Sequence, residues 1–159
     1  LAKIEGEIRG RELCVAQGAE FRVGRLFHTF GPGVRKNDGR SFADFLWQSA
    51  KGKKPILKSA GRDVRTFLYS LDAVVGLLQI LLQDKLTEPI NVGSERPFTI
   101  LDFAIQISTQ AGLFGETDMV ASGDNYTHSP NHIIIPDTNR LKSLGGDKKS
   151  ISRNLSTKP

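Results

Sequence analysis

Arg25-Leu26-Phe27-His28-Thr29-Phe30-Gly31-Pro32-Gly33, followed by Asn37-Asp38-Gly39-Arg40, is the stretch on which the fold of this chain turns. Residues 20–28 carry Phe21, Val23 and the Leu26-Phe27 pair, all strand formers, and the Gly31-Pro32-Gly33 breaker closes the strand. Upstream, residues 2–17 place Ile4, Ile8, Leu13 and Val15 among charges at near-helical spacing, and Gly18 stands where helices commonly end. The spacing predicts a helix. Gly6 and Gly10 each weaken it by up to about 1 kcal/mol against alanine, so packing has to hold it in place. A helix that leads into a strand with an apolar end implies a parallel sheet, and with it an α/β fold class.

Downstream, Ser41 can cap a helix whose apolar positions are Phe42, Phe45, Leu46 and Ala50, with Gly52 just beyond its end. Ile56-Leu57 predicts a short strand and residues 66–69 another. Asp72 suits an N-cap for the run 73–82, which is apolar almost all round and is therefore expected to be buried. A strand at 89–92 precedes a helix opened by Thr99 with Asp102 three residues on, which turns Ile100, Phe103 and Ile107 inward and ends at Gly112. Residues 132–135 read as a strand, and Pro136-Asp137 starts a last short helix through Leu141 and Leu144, stopped by Gly145-Gly146. The Ser/Lys-rich tail from Asp147 is expected to be disordered.

With 159 residues the chain is near one average domain, too short to hold a complete cofactor domain and a complete substrate domain together. Its net charge of +5 is concentrated: residues 35–65 hold nine bases against three acids, while the rest is nearly balanced. An anionic partner fits that segment. It shows none of the helix-turn-helix, zinc-finger or ribonucleoprotein signatures, so nucleic-acid binding ranks below a small phosphorylated ligand. For Lys51, Lys53 and Lys54 a solvated surface is the plainer reading. No apolar run reaches the roughly 18 residues of a membrane span. The opening Leu1-Ala2-Lys3-Ile4-Glu5 has no charged-then-apolar leader, and the single Cys14 excludes an internal disulfide and a Cys-based zinc site, so a cytoplasmic chain is expected.

The quoted stretch resembles the extended short-chain dehydrogenase/reductase family of nucleotide-sugar epimerases, dehydratases and decarboxylases, whose usual form is Arg-x-Phe-Asn-x-Tyr-Gly-Pro. Within it the likeness runs to the UDP-glucuronate decarboxylase and dehydratase-like branch, where Asn-Asp-Gly-Arg follows the Gly-Pro turn. Further landmarks fall in order: Gly61 with residues 65–72, Ile90-Asn91-Val92-Gly93, Thr99-Ile100-Leu101-Asp102, and Pro136-Asp137 before Leu144-Gly145. The likeness spans residues 1 to about 145 and implies the C-terminal part of such an enzyme. Residues 1–33 would be a remnant of the NAD-binding Rossmann domain, its last helix and strand. Residues 34–146 would form a small mixed α/β nucleotide-sugar-binding domain, and 147–159 a tail.

The resemblance also implies what each site residue does. The family catalyses with Tyr-x-x-x-Lys, in which tyrosine is the general base toward a sugar hydroxyl while hydride passes to nicotinamide. Lys3 falls at the lysine, and its tyrosine would precede residue 1. The glycine turn for the NAD pyrophosphate and the acid for its ribose are also missing. NAD, the cofactor of the intact family, is therefore not expected to bind this chain alone. Arg40 and Arg65 fall at diphosphate-binding arginines, whose planar fork suits paired phosphate oxygens; ion pairs to Asp38 or Asp63 are the alternative. His28 replaces the family's phosphate-contacting asparagine and can donate one hydrogen bond there, or serve as a partly buried structural histidine. Ile56 and Leu57 match the strand beside the nucleotide base, or are ordinary core.

Two weaker constellations remain. Asp124, His128, His132 and Asp137 do not have zinc-site spacing, and Cys14, within the first helix, suits a buried inert thiol. The expected ligand is thus a UDP-sugar or another nucleotide-sugar, bound weakly, with no nucleic acid and no membrane. The expected assembly is a homo-oligomer through the N-terminal helix and strand. A free-standing, non-catalytic nucleotide-sugar-binding or assembly module is the alternative.

Overall fold

The computed structural model describes residues 1–84, 86–113, 118–119 and 131–144. In chain order the elements are α1 (Ala2–Ala16), β1 (Gly24–Leu26), β2 (Thr29–Phe30), α2 (Ser41–Ser49), β3 (Ile56–Leu57), β4 (Val64–Thr66), β5 (Leu68–Tyr69), α3 (Ser70–Leu81), β6 (Ile90–Val92), β7 (Pro97–Thr99), α4 (Ile100–Gln110), β8 (Asp118–Met119) and α5 (Asn139–Ser143). The strands form four two-stranded ladders, three of them parallel: β1 with β6, β2 with β5 and β3 with β8; β4 and β7 are antiparallel. β1 and β6 thus join the first of the two expected units to the second.

The quoted stretch holds two strands rather than the single one expected over 20–28. Phe27 N still donates to Val92 O in the β1–β6 ladder, and two residues later Thr29 pairs with Leu68 of β5. A change of partner within three residues leaves no signal in strand propensity. The expected strand at 66–69 divides in the same way, into β4 and β5, at the buried Phe67. Among the described residues the strand expected at 132–135 forms one bridge, Ile133 with Val64, and β7 is not expected from the sequence. The last helix begins at Asn139, three residues after Pro136.

Helix signals fared better where they were local. Thr99 and Asp102 make the expected capping box: Asp102 N donates to Thr99 Oγ1 at 3.0 Å and Thr99 N to Asp102 Oδ2 at 3.4 Å. Gly18, Gly52 and Gly112 end their helices with φ of +66°, +69° and +72°. Two cap assignments shift, since the N-cap of α2 is Arg40 instead of Ser41 and that of α3 is Tyr69 instead of Asp72. Asp72 lies in the first turn of α3, where burial raises its carboxyl pKa.

α3 corrects a larger expectation. It is buried only at Ala73, Gly76 and Ile80, where it packs on β1 and β6, and it exposes Leu71, Val74, Val75, Leu78 and Leu81. Apolar composition reports that a face can be covered; among the described residues only one face finds a cover. α1 has no buried residue at all, and Cys14 is partly exposed instead of buried.

Two apolar cores result. Phe42, Ala43 and Phe45 of α2 meet Phe103 and Ala104 of α4, with Leu57 and Phe67 between them. Ile80, Ile90 and Val92 form the second, closed by Leu141 of α5. Glu95 ties α5 to the loop between β6 and β7, accepting from Thr138 Oγ1 at 2.6 Å and Thr138 N at 3.2 Å and pairing with Lys142. Lys142 and then Thr138 hold its carboxyl at a pKa of about 2, below the ordinary 4.5. A depressed carboxylate contributes in full above its unfolded value and loses that contribution as pH falls through the folded one. Glu95→Gln is therefore expected to cost up to about 1 kcal/mol at pH 7, discounted for partial exposure. Urea unfolding at pH 7 and at a series of lower values checks this: the gap to the parent closes below about pH 4.5, and a constant gap would contradict it.

Candidate functional site

A cavity of about 370 Å³ opens between α2, β3, β4 and the start of α4. Its walls are assembled from distant parts of the chain: His28 from between β1 and β2, Arg40 from the start of α2, Ile56 and Leu57 from β3, and Arg65 from β4. The five residues assigned to substrate by resemblance are thus brought to one cavity, while Lys3, exposed on the first turn of α1, is not among its lining residues. Phe42 and Phe45 continue the wall from α2, and Phe67 and Ile100 add to it. Gln48 Oε1 accepts from Ile56 N at 2.8 Å, and Trp47 Nε1 donates to Val34 O at 3.1 Å, so α2 fastens both β3 and the loop before Arg40.

Strand alternation separates the two β3 residues. Ile56 is 41% exposed and Leu57 is 1% exposed, so Ile56 turns toward solvent while Leu57 belongs to the core behind it. Lys58, Asp44 and Asp63 also line the cavity, with Lys58 Nζ 3.6 Å from Asp44 Oδ2. Lys58 and Asp44 were not singled out from sequence; their one visible signal was that Lys58 continues the Ile56-Leu57 strand.

Both arginines make the ion pairs that stood as the alternative reading, and both also line the cavity. Arg40 engages Asp38 through Nε and Nη2, the latter at 2.7 Å, and its guanidinium carbon lies 4.7 Å from the Phe42 ring centroid. Arg65 is 8% exposed; its Nη1 donates to Val64 O at 2.8 Å and His132 O at 3.0 Å, and its Nη2 to Asp63 Oδ2 at 3.2 Å. His132 Nδ1 lies 3.0 Å from Asp63 Oδ1.

His28 is half-buried, with its ring centroid 5.9 Å from that of Phe67. Burial, then the charges of Arg65 and Arg40, push its pKa below the ordinary 6.5, so it is neutral at pH 7. Its Nδ1 is buried without a hydrogen-bond partner among the described residues. A neutral imidazole beside two guanidinium groups, with one ring nitrogen unsatisfied, is a place where an anion would restore both charge balance and a hydrogen bond.

Residues 1–93 match the sequence model of the NAD dependent epimerase/dehydratase family, more than half of the chain. The chain belongs to that family. Among curated relatives it is 32% identical over 125 residues to UDP-glucuronic acid decarboxylase 1 of Xenopus tropicalis, covering 76% of this chain and 30% of that protein. It is 36% identical over 129 residues to UDP-glucuronic acid decarboxylase 5 of Arabidopsis thaliana, covering 81% of this chain and 36% of that protein. The chain thus spans about a third of the length of these relatives. Two solved structures show the same fold. UDP-N-acetylglucosamine 4-epimerase of Methanobrevibacter ruminantium M1, in complex with UDP-N-acetylmuramic acid, superposes with a TM-score of 0.77 at 18% identity, over 96% of this chain and 49% of that one. UDP-glucuronic acid 4-epimerase of Bacillus cereus, in complex with UDP-glucuronic acid and NAD, superposes with a TM-score of 0.69 at 21% identity, over 89% and 44%.

Family membership makes the fold a Rossmann-type α/β architecture and raises NAD as cofactor. Among the described residues, the helices entered directly from a strand lack the turn that would hold that group. α3 and α4, each entered directly from a strand, begin at Tyr69-Ser70 and Thr99-Ile100, without the glycine turn that lays a pyrophosphate on a helix N-terminus. Among the described residues no three His, Cys, Asp or Glu side chains cluster as a metal site, and no helix is long and apolar enough to cross a membrane. Asp124 and His128 of the possible metal set, and the tail from Asp147, lie outside the described residues.

Proposed function

We propose that this chain is the nucleotide-sugar-binding part of an NAD-dependent epimerase, dehydratase or decarboxylase, and that alone it neither binds NAD nor catalyses a redox step. The observation that carries this reading is the convergence of His28, Arg40, Ile56, Leu57 and Arg65 on one cavity. A UDP-sugar would set its diphosphate against Arg40 and Arg65, take a hydrogen bond from His28 and lay its base by Ile56. Lys3 would be the remnant of the catalytic pair, on residues 1–33 of the Rossmann part, with residues 34–146 as the substrate-binding part. One cysteine in the whole chain is in keeping with a cytoplasmic setting.

Calorimetric titration with UDP tests the reading. An anion between the two arginines favours protonated His28, whose pKa is lowered in the empty cavity. Binding of a UDP-sugar, whose diesterified diphosphate keeps its charge, is therefore expected to tighten as pH falls below 6.5, in step with His28 protonation. In the empty protein the sign is opposite. A histidine with a depressed pKa stabilises the fold above its unfolded value and destabilises it progressively below about pH 6.5. No heat with millimolar UDP on either side of that pH would overturn the assignment.

Self-association belongs to the same proposal. β1 pairs with β6 alone among the described residues, Leu26 on it is 51% exposed, and α1 buries nothing. A parallel strand with an open edge and an uncovered helix beside it invite a second copy. Light scattering over a range of concentrations is expected to show a dimer or larger species, reduced to monomer by Leu26→Lys; a monomer at every concentration would end this part of the proposal.

A further inference from the structure

Each cavity arginine is held by an aspartate two residues before it: Asp38-Gly39-Arg40 and Asp63-Val64-Arg65. Local backbone explains both. Gly39 has a φ of +85°, a left-handed conformation that turns the side chains at 38 and 40 toward each other and that a Cβ would strain. At the entry to β4 extended backbone puts positions 63 and 65 on one side. Arg40 has both Nε and Nη2 on the Asp38 carboxylate, so the Nε/Nη2 edge of the fork, one of those that would grip a phosphate, is already filled.

Neither aspartate depends on its arginine alone. Arg35 joins Arg40 in lowering the Asp38 pKa, and His132 Nδ1 stands 3.0 Å from Asp63 Oδ1. An aspartate that releases its arginine therefore keeps a second basic group. The arginines are also free to exchange to different degrees. Arg40 has a half-exposed side chain and lines both the cavity and a second, shallower hollow beside the Gly31-Pro32-Gly33 turn, whereas Arg65 has Nη1 fixed by two carbonyls and only Nη2 on its aspartate.

We propose that Asp38, from the hollow beside the cavity, and Asp63, from the cavity wall, are displaceable internal anions, which hold Arg40 and Arg65 and give way to the oxyanions of a diphosphate. The inference rests on the nucleotide-sugar reading and deepens it, because it makes the two aspartates determinants of ligand class. A single carboxylate ligand would replace one carboxylate by another and gain little. A diphosphate carries more charge on adjacent groups and can reach both arginines at once. Asp38 is the stronger competitor, since it takes a two-donor edge of its arginine where Asp63 takes one donor.

The test is calorimetric titration of the full chain with UDP and, separately, with inorganic pyrophosphate, for the parent, Asp38→Asn, Asp63→Asn and Glu88→Gln. Glu88 is an exposed acid outside the cavity, so its variant makes the same change in net charge at a distance. Asp38→Asn is expected to bind both ligands about three- to tenfold more tightly and Glu88→Gln to stay within about twofold of the parent. In the parent, UDP is expected to shift the Arg40 Nε–H resonance toward its position in Asp38→Asn, a change that a merely structural aspartate would not produce. Thermal melts confirm folding. Should Asp63→Asn fail to fold, Asp38→Asn, on the loop before α2, decides the matter. Binding by Asp38→Asn equal to or weaker than the parent's overturns the inference and leaves the nucleotide reading standing; a parent that binds neither ligand overturns both.

Discussion

Phe103→Ala is expected to lower the unfolding free energy by about 3–5 kcal/mol. Phe103 is 2% exposed and stacks on Phe67 with ring centroids 3.8 Å apart at 13°. It also meets Phe30 edge-on at 5.6 Å and Phe98 at 6.2 Å, so one ring from α4 joins aromatic residues of three other segments. Alanine would leave a cavity among rigid rings that cannot close on it, and would add the lost stacking to the lost burial. Phe103→Leu keeps much of the volume and is expected to cost less than half as much. Urea unfolding followed by circular dichroism separates the two. The functional consequence runs through Phe67, which lines the candidate cavity and would lose its backing, so UDP binding should weaken with stability. A cost below about 1 kcal/mol for the alanine variant would mean that this cluster is not the core that the packing implies.

Arg65→Ala carries a second expected effect, a loss of UDP affinity of about tenfold or more, against less than about twofold for Lys53→Ala. The contrast is one of burial and geometry. Both residues belong to the basic segment, yet Arg65 is buried in the cavity wall with three hydrogen-bond acceptors fixing its plane, and Lys53 is exposed and outside the cavity lining. Arg65→Lys should not rescue binding, because an ammonium cannot reach Val64 O, His132 O and Asp63 and still offer a planar pair of donors. The same bonds tie the segment at 131–135 to β4, so a fall in melting temperature is expected as well and has to be measured beside the affinity. Equal affinity losses for Arg65→Ala and Lys53→Ala would show that the basic segment acts through its net charge and not through this cavity.

The elements that could be read in advance are those whose cause lies within a few residues. The Thr99–Asp102 capping box, the inward face of α2 at Phe42 and Phe45, and the helix ends at Gly18, Gly52 and Gly112 all formed as their local chemistry requires. Cap positions at Arg40 and Tyr69 each fell ahead of the expected residue, because a carboxylate or hydroxyl can sit as well in the first turn as at the cap. The candidate site was partly legible. His28, Arg40, Ile56, Leu57 and Arg65 follow from ordered landmarks, and they line one cavity; Lys58 and Asp44 do not, because nothing local marks a charged residue as lining a cavity.

By itself, then, the sequence determined the α/β class, the family through landmarks in their order, and the concentration of positive charge in residues 35–65. Only the tertiary structure decided which strands pair. Thr29 meets Leu68 and Gly24 meets Ile90 across tens of residues, and strand propensity has no term for partner. It also decided that α3 covers one face and exposes the other, since hydrophobic pattern describes what a helix can bury and not what is there to bury it. The same holds for the arginines. Spacing placed Asp38 and Asp63 two residues from Arg40 and Arg65, but the backbone turn at Gly39 and the extended entry to β4 made those neighbours partners. Long-range packing then brought Arg40 and the Asp63–Arg65 pair to one cavity and left Asp38 on the hollow beside it, because the fold around α2 and α4 sets where a side chain ends, however clearly its neighbours announce its type.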